Sequence, residues 1–168
     1  GNIGQLEVYR TDSFKQAGVN KFPDNWEDLL AAGRVVKKAG HPFGFELGHG
    51  FGDNHGWLYP LLWSYGGREV DKDGKTVHID SSETAAAVDF CRKFYKETMF
   101  EDMLGWTDVN NNKAFFGEQI SCTNNASSIL EVGIRDFPDI AKVTDHALNP
   151  QGPKGRFHVF NAQSHAIF

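Results

Sequence analysis

The sequence contains only two cysteines in 168 residues, Cys91 and Cys122, and no CxxC pair. Two thiols this far apart provide too few ligands for a zinc site. We expect them to be separate buried thiols. A single disulfide between them stays open as the alternative.

An excess of basic charge and a long hydrophobic run are also missing. The chain has 17 basic and 22 acidic residues, which give a formal charge of −5. A protein without a basic surplus is poorly suited to neutralise phosphates, so we do not expect nucleic acid as a partner. No apolar run approaches the roughly 20 residues of a transmembrane helix. No charged start followed by an apolar stretch marks a signal peptide.

Motifs for cofactors, metals and catalysis are absent as well. A GxGxxG motif starting at Gly48 would need glycine where Asp53 stands, and one starting at Gly50 would need glycine at His55. Neither a GxxxxGK[ST] loop nor a GxSxG nucleophile elbow occurs. His49 and His55 lie in a glycine-rich stretch without the spacing of metal ligands. We therefore expect no cofactor, no metal and no enzymatic activity.

What the sequence does contain is a regular alternation of strand and helix patterns, which favours an α/β fold. Capping signatures at Asp24–Glu27 and Asp80–Glu83 mark the starts of two helices. Pro60 is tolerated only near a helix start, so the helix that contains it should begin at about residues 54–57. We expect strands at 5–10, 120–123 and 156–168, a hairpin at 69–79, and helices at 13–17, 24–40, 55–65, 80–98, 108–117 and 126–136.

Several polar and aromatic residues lie next to predicted helix starts, loops and strand ends: Asn54, His55, Trp57, Trp106, Asn124 and Asn125. Strand ends and helix starts are where α/β folds collect ligands. An indole offers an apolar platform, and a carboxamide offers both a donor and an acceptor. That combination suits a sugar or a polyol. The alternative is that both tryptophans are core rings and that the asparagine pair belongs to a turn.

Five segments follow one another in a recognisable order: LEVYRTDSFKQAG, FPDNWEDLLAAGRVVKKAG followed by HPFGF, GWLYPLLWSYGG, AFFGEQISCTNNASSI, and NPQGPKGRFHVF. Together they resemble the central portion of the extracellular solute-binding proteins of family 1. These are the receptors of ABC importers, and the maltose receptors belong to them. The resemblance implies one incomplete lobe of a two-lobed, type II periplasmic-binding-protein-like α/β fold. Residues 1–149 would form most of the C-terminal lobe, and residues 150–168 a hinge crossing and a strand of the N-terminal lobe.

The resemblance also implies where ligand is bound, in the cleft between the lobes. Family contacts carried over to this chain fall at the following positions: Asn54, His55 and Trp57; Asn124, Asn125 and Ser127; and the returning strand at 161–164, with Gln163 preferred. Ser127 stands where the maltose receptors have a tryptophan platform, which argues against a maltodextrin ligand. Trp106 is a further candidate ligand contact, which rests on its position in a loop before Asp108 and not on the resemblance.

The resemblance implies a receptor that binds its solute and catalyses no reaction. It would capture a small solute, a sugar or polyol in the first instance, and deliver it to the membrane permease of an ABC importer. We expect it to be periplasmic or extracellular, and monomeric when complete. A carbohydrate-active enzyme and a solute sensor without transport are the alternatives. The ligand itself stays open among sugars, polyols, oligosaccharides, sugar phosphates and amines.

Overall fold

Strand β1, Asn2–Arg10, is the centre of the sheet in the computed structural model, which describes residues 2–50 and 52–162. Strands β2, Cys122–Ala126, and β3, Thr144–Ala147, flank it on either side, and both run antiparallel to it. Strand β4, Phe160–Ala162, also pairs with β1 in the antiparallel sense. Every described ladder of this sheet therefore includes β1.

The partners of β1 change part of the way along the strand. Asn2 to Gly4 pair with β4, and the last of these pairs is Gly4 with Phe160. From Gln5 onward the same strand pairs with β2, beginning with Gln5 opposite Ala126. The partner of β1 therefore changes from β4 to β2 between Gly4 and Gln5.

Helices cover the sheet and supply most of the core. Two of them begin within the capping signatures of the sequence, at caps one residue later than the acid that opens each signature. The Asn25 side chain accepts a hydrogen bond from the Asp28 backbone N–H, and Ser81 accepts one from Thr84. Gly66, with φ of 95°, ends the helix that contains Pro60. The helices are α1 Thr11–Gln16, α2 Trp26–Lys38, α3 Asp53–Tyr65, α4 Ser82–Thr98, α5 Asp108–Phe116, α6 Ser128–Asp136 and α7 Pro138–Ala141, with a 3₁₀ turn at Glu101–Gly105.

Aromatic rings form the middle of the core. Phe45 lies edge-on against both Trp57 and Phe94, with ring centroids 5.2 and 5.4 Å apart. Phe43 and Trp26 extend the same cluster, and all five rings are buried. Such edge-to-face packing adds to the free energy gained by burying large rings. These five core rings are part of the 22 phenylalanine, tryptophan and tyrosine residues in the sequence.

Three local predictions need correction. Helix α3 begins at Asp53, so Pro60 is its eighth residue rather than part of its first turn. Proline removes the hydrogen bond to the Gly56 carbonyl, but α3 continues because it packs on α4 and the sheet. The strand expected at 120–123 lies at Cys122–Ala126 instead. The final strand, expected from residue 156, begins at Phe160 and includes Phe160–Ala162, and residues 163–168 lie outside the described part of the chain.

Other predictions agree with the structure. The hairpin at 69–79 closes through an antiparallel bridge between Val70 and Val77. Cys91 and Cys122 are separate free thiols, of which Cys122 is buried and Cys91 half-buried. Among the described helices, none combines the length and apolar character required to cross a membrane.

Candidate functional site

The start of α3 lies against two carboxylates from other parts of the chain. The Asp53 backbone N–H donates to Asp108 Oδ1 at 3.1 Å, and the Asn54 backbone N–H donates to Glu46 Oε2 at 3.2 Å. The first amides of a helix have no partner within it and favour negative charge. At this helix the protein's own acidic side chains already satisfy two of them.

Gly52 permits this approach because it has no side chain. A Cβ atom at Gly52 would lie 2.0 Å from both carboxylate oxygens of Asp108. We expect Gly52→Ala to displace Asp108 from the helix start and to reduce the free energy of unfolding by about 2 kcal/mol. Gly50→Ala is the matched control, since its Cβ would meet Glu46 Oε1 at an ordinary 3.5 Å. Thermal unfolding of both variants tests this, and equal stabilities would contradict it.

Asp53 joins three separate elements. Its Oδ1 accepts a hydrogen bond from Gln5 Nε2 on β1 at 3.2 Å. Its Oδ2 accepts from Asn111 Nδ2 on α5 at 2.7 Å and from Asn125 Nδ2 on β2 at 3.0 Å. The Asn125 amide also donates to Asn112 Oδ1 at 2.7 Å. One half-buried carboxylate therefore fixes the relative positions of β1, β2, α3 and α5.

The electrostatic balance of this site is acidic. Burial, followed by the neighbouring Asp108 carboxylate, raises the pKa of Glu46 to about 7. Burial also raises the pKa of Asp53, and hydrogen bonds from Asn111 and Gln5 oppose that rise. No lysine or arginine within residues 2–50 and 52–162 forms an ion pair with these three carboxylates. The site presents carboxylates and carboxamides, and its own residues supply no compensating cation.

A second polar chain lies beneath the first, on the same sheet. Asn124 Nδ2 donates to Glu7 Oε1 at 3.2 Å and to Asn149 Oδ1 at 3.0 Å. Glu7 is fully buried, and its burial raises its pKa to about 8. At neutral pH the Glu7 side chain is therefore mainly the uncharged acid. Gly56 of α3 packs directly on this layer, because a Cβ there would lie 2.9 Å from Asn124 Oδ1.

The structure assigns different positions to the residues predicted from the sequence. Asn124 and Asn125 belong to the polar network just described. Asn54 lies beside it, almost fully buried, and its Nδ2 donates to the carbonyls of Gly48 and Gly50. The asparagines therefore organise the site from within rather than at an open surface.

Trp57 is the clear correction. Its indole has no exposed surface, and its Nε1 donates to the Glu46 carbonyl at 2.9 Å. A ring enclosed by Phe45 and Phe94 has no free face on which a ligand could stack. The core alternative considered for this residue is the correct one.

The remaining predicted residues are dispersed. His55 is half-buried at the helix start, and its Nδ1 accepts from the Gly52 backbone N–H at 3.2 Å. Ser127 is exposed where β2 ends, next to the network. Trp106 is half-buried and lines a separate groove with residues from α5 and the 3₁₀ turn. Gln163 lies outside the described residues.

Sequence reasoning missed most of the residues that hold the network together: Gln5, Glu7, Glu46, Asp53, Asp108, Asn111, Asn112 and Asn149. The one local signal was the pair Gly52–Asp53, a glycine followed by an acid at a helix start. In the described part of the chain, no group of three or more histidine, cysteine or acidic side chains is arranged to hold a metal ion.

Comparison with known proteins places this arrangement in a family. The profile of the bacterial extracellular solute-binding proteins matches residues 2–153, and the chain belongs to that family. A binding protein of Brucella abortus is 34% identical over 67 residues, which are 39% of this chain and 16% of that protein. The members matched are binding proteins rather than enzymes.

Solved structures show the same fold. T. maritima MalE3 with bound maltose superposes with a TM-score of 0.85 at 23% identity, over 95% of this chain and 41% of that one. A solute-binding protein of Thermotoga lettingae with bound tagatose gives 0.81 at 19% identity, over 95% and 42%. One of Agrobacterium vitis with bound mannitol gives 0.79 at 18%, over 90% and 37%. The predicted fold class is confirmed: this α/β chain matches one part of a two-lobed binding protein and spans about 40% of the length of these structures.

Proposed function

We propose that this chain supplies one lobe of a receptor that captures an uncharged sugar or polyol and delivers it to the permease of an ABC importer. The observation that carries the proposal is the position of Gln5. It is the first residue of β1 after the change of ladder, and its amide donates to Asp53 at the candidate site. The strand that passes between two ladders is thereby connected directly to the polar network. The receptor acts in the periplasm or outside the cell, as a monomer.

The proposed division into lobes follows from the same strand. Residues 1–149 form most of the C-terminal lobe, and residues 150–168 cross to the N-terminal lobe. The pairing of β4 with Asn2–Gly4 supports this division, since both segments lie beyond the change of ladder at Gln5. The same pairing indicates that Asn2–Gly4 belong, like residues 150–168, to the segments that cross to the N-terminal lobe. Bending at Gly4 and at the segment before β4 would open and close the cleft.

The preference for a ligand without negative charge rests on the acidic groups of the site. Two amides at the start of α3, those of Asp53 and Asn54, already donate to Asp108 and Glu46, so they are not free to bind a phosphate or carboxylate. The same acidic groups repel an anion, whereas carboxylates and carboxamides bind hydroxyl groups well. The maltose, tagatose and mannitol named for the structural relatives have this chemistry.

A thermal-shift screen tests the proposal. We expect a two-lobed protein that carries this chain to gain melting temperature with a neutral sugar or polyol but not with glucose 6-phosphate. Asp53→Asn should weaken the identified ligand at least about tenfold, because it removes a charged acceptor and disturbs three amide contacts. Asp89→Asn, on the exposed surface of α4, is the control. A phosphorylated sugar as the best ligand would contradict the proposal.

The isolated lobe should bind its ligand very weakly. A micromolar receptor binds with about −8 kcal/mol, and half of the contacts would leave about −4 kcal/mol, near millimolar. Ligand favours the closed form of such proteins because both lobes contact it only then. Isothermal titration calorimetry of the 168-residue chain and of the two-lobed protein compares the two cases. Equal affinities would show that the second lobe contributes nothing.

A further inference from the structure

Two buried side-chain oxygens at the start of α3 accept no hydrogen bond from residues 2–50 and 52–162. They are Oε1 of Glu46 and Oδ1 of Asn54. Glu46 is only 1% exposed and Asn54 only 7%. Buried acceptors are nearly always paired in native proteins, because an unpaired one has lost its hydration without compensation. These two oxygens therefore point to a bound partner that carries positive charge or a proton.

Both oxygens belong to side chains that are held in place beside the turn before α3. The Asn54 amide donates from Nδ2 to the carbonyls of Gly50 at 2.8 Å and Gly48 at 3.0 Å. Oε2 of Glu46 accepts from the Asn54 backbone N–H at 3.2 Å, and Oε1 would lie 3.5 Å from a Cβ on Gly50. Rotating either side chain to find a donor would break these hydrogen bonds.

A third oxygen-bearing group reaches the same place from α5. The Asp108 carboxylate accepts from the Asp53 backbone N–H at 3.1 Å and lies within hydrogen-bonding reach of Glu46. Two carboxylates this close repel each other. No lysine or arginine in the described part of the chain forms an ion pair with either of them. Asp108 is itself exposed, so an ion from solvent has access to the pair.

This set of oxygens has the chemistry that Ca²⁺ prefers. Ca²⁺ takes roughly six to eight oxygen ligands from carboxylates, carboxamides, backbone carbonyls and water, in irregular geometry. Glu46 and Asp108 supply two negative charges, and Asn54 supplies an amide oxygen. The carbonyls of Gly48 and Gly50 each keep a second lone pair. Zn²⁺ prefers histidine and cysteine, and none of these five residues is either.

We propose that Glu46, Asn54 and Asp108 form a Ca²⁺ site at the start of α3, completed by water and by carbonyl oxygens of the preceding turn. The set has only two acidic side chains, so it differs from the clusters of three or more metal-ligating side chains considered above. The ion balances the charge of both carboxylates and links the 46–54 segment to α5. The proposal goes beyond the proposed function, does not depend on the identity of the solute, and departs from the sequence expectation of no metal.

Titration of CaCl₂ into a two-lobed protein that carries this chain, freed of metal ions with EDTA, tests the proposal. We expect calorimetry to give a dissociation constant on the order of 10⁻⁴ M, as in extracellular Ca²⁺ sites. About 5 mM CaCl₂ should then raise the melting temperature by mass action. Tb³⁺, which binds the same oxygen ligands, should luminesce on excitation of tryptophan, since Trp57 Nε1 donates to the Glu46 carbonyl.

Two variants locate the ion. Glu46→Gln and Asp108→Asn each remove one charge and keep an oxygen for the helix amide that it accepts from. We expect each to weaken Ca²⁺ binding at least about tenfold, because the affinity of such sites follows the number of charged ligands. Without Ca²⁺ both variants should be as stable as the wild type or more so, because the repulsion between the carboxylates is relieved. Asp89→Asn, on the exposed surface of α4, is the control and should bind Ca²⁺ like the wild type.

Three results would overturn the proposal. The first is a metal-free protein that shows neither a calorimetric signal nor a rise in melting temperature with CaCl₂. The second is wild-type Ca²⁺ affinity in the exposed-site variant Asp108→Asn. The third is an equal response to MgCl₂, which demands a more regular geometry than these residues provide. Sugar affinity measured at saturating Ca²⁺ reports separately on the proposed function, so the failure of one proposal leaves the other intact.

Discussion

Replacing Glu7 with glutamine should stabilise the protein by about 4 kcal/mol at pH 9 and leave its stability almost unchanged at pH 4. Glu7 is fully buried, and its burial raises its pKa from the ordinary value of 4.5 to about 8. Ionisation inside the fold is unfavourable because, among the residues that the structure describes, only the Asn124 amide donates to the carboxylate. Glutamine keeps the acceptor oxygen for Asn124 and cannot ionise.

The direction of the pH effect follows from proton linkage. Between pH 4.5 and 8 the unfolded chain releases the Glu7 proton while the folded chain retains it. The stability contributed by the protonated side chain is complete below pH 4.5 and is lost as pH rises through 8. A pKa difference of this size corresponds to about 4 to 5 kcal/mol. The wild-type protein should therefore become less stable across this range, and the variant should not.

Denaturant unfolding at several pH values measures the effect. Glu131→Gln is the control, since it removes the same formal charge from an exposed position on α6. Its difference from the wild type should stay within about 0.5 kcal/mol at every pH. A Glu7→Gln difference that does not change with pH would show that Glu7 is ionised in the folded protein.

Truncating Trp57 to alanine should cost about 3 to 5 kcal/mol of folding free energy, the usual cost of removing a large buried ring. The indole is enclosed by Phe45 and Phe94, and its N–H satisfies the Glu46 carbonyl. Removal therefore leaves a cavity and an unpaired buried acceptor together. The loss should appear as a lower unfolding midpoint in denaturant.

Trp106→Ala provides the comparison, because Trp106 is only half-buried. It should cost clearly less than the Trp57 substitution. A Trp57→Ala protein with wild-type stability but impaired ligand binding would restore Trp57 to the binding site and contradict the core assignment.

The sequence was sufficient for those features that depend on neighbouring residues. Asn25 and Ser81 cap their helices from within the predicted capping signatures, each one residue after the acid that opens the signature. The signatures could be read locally because a cap satisfies amides only three residues away. Family membership was also evident, since five short segments in fixed order extend over most of the chain. The profile match to residues 2–153 confirms it.

The site was less accessible to sequence reasoning because its residues meet only through the tertiary fold. Asp53 contacts Gln5, Asn111 and Asn125, which are 48, 58 and 72 positions away in the chain. No local pattern encodes those distances. The error at Trp57 has a related cause: an indole at a helix start is equally suited to a cleft or to a core. Only the packing of Phe45 and Phe94 decides between them.

The position of β1 in the sheet also determines when the sheet can form during synthesis. β1 ends at Arg10, and its partners within this chain begin only at Cys122, about 110 residues later. At roughly 5 to 20 residues per second, a ribosome needs several seconds to deliver β2 after β1 has emerged. During that interval the helices can form, but the backbone hydrogen-bonding groups of β1 have no partner strand within this chain. Slow translation or early release of the nascent chain would therefore expose this strand, which makes β1 the expected contact for chaperones and the expected origin of aggregation.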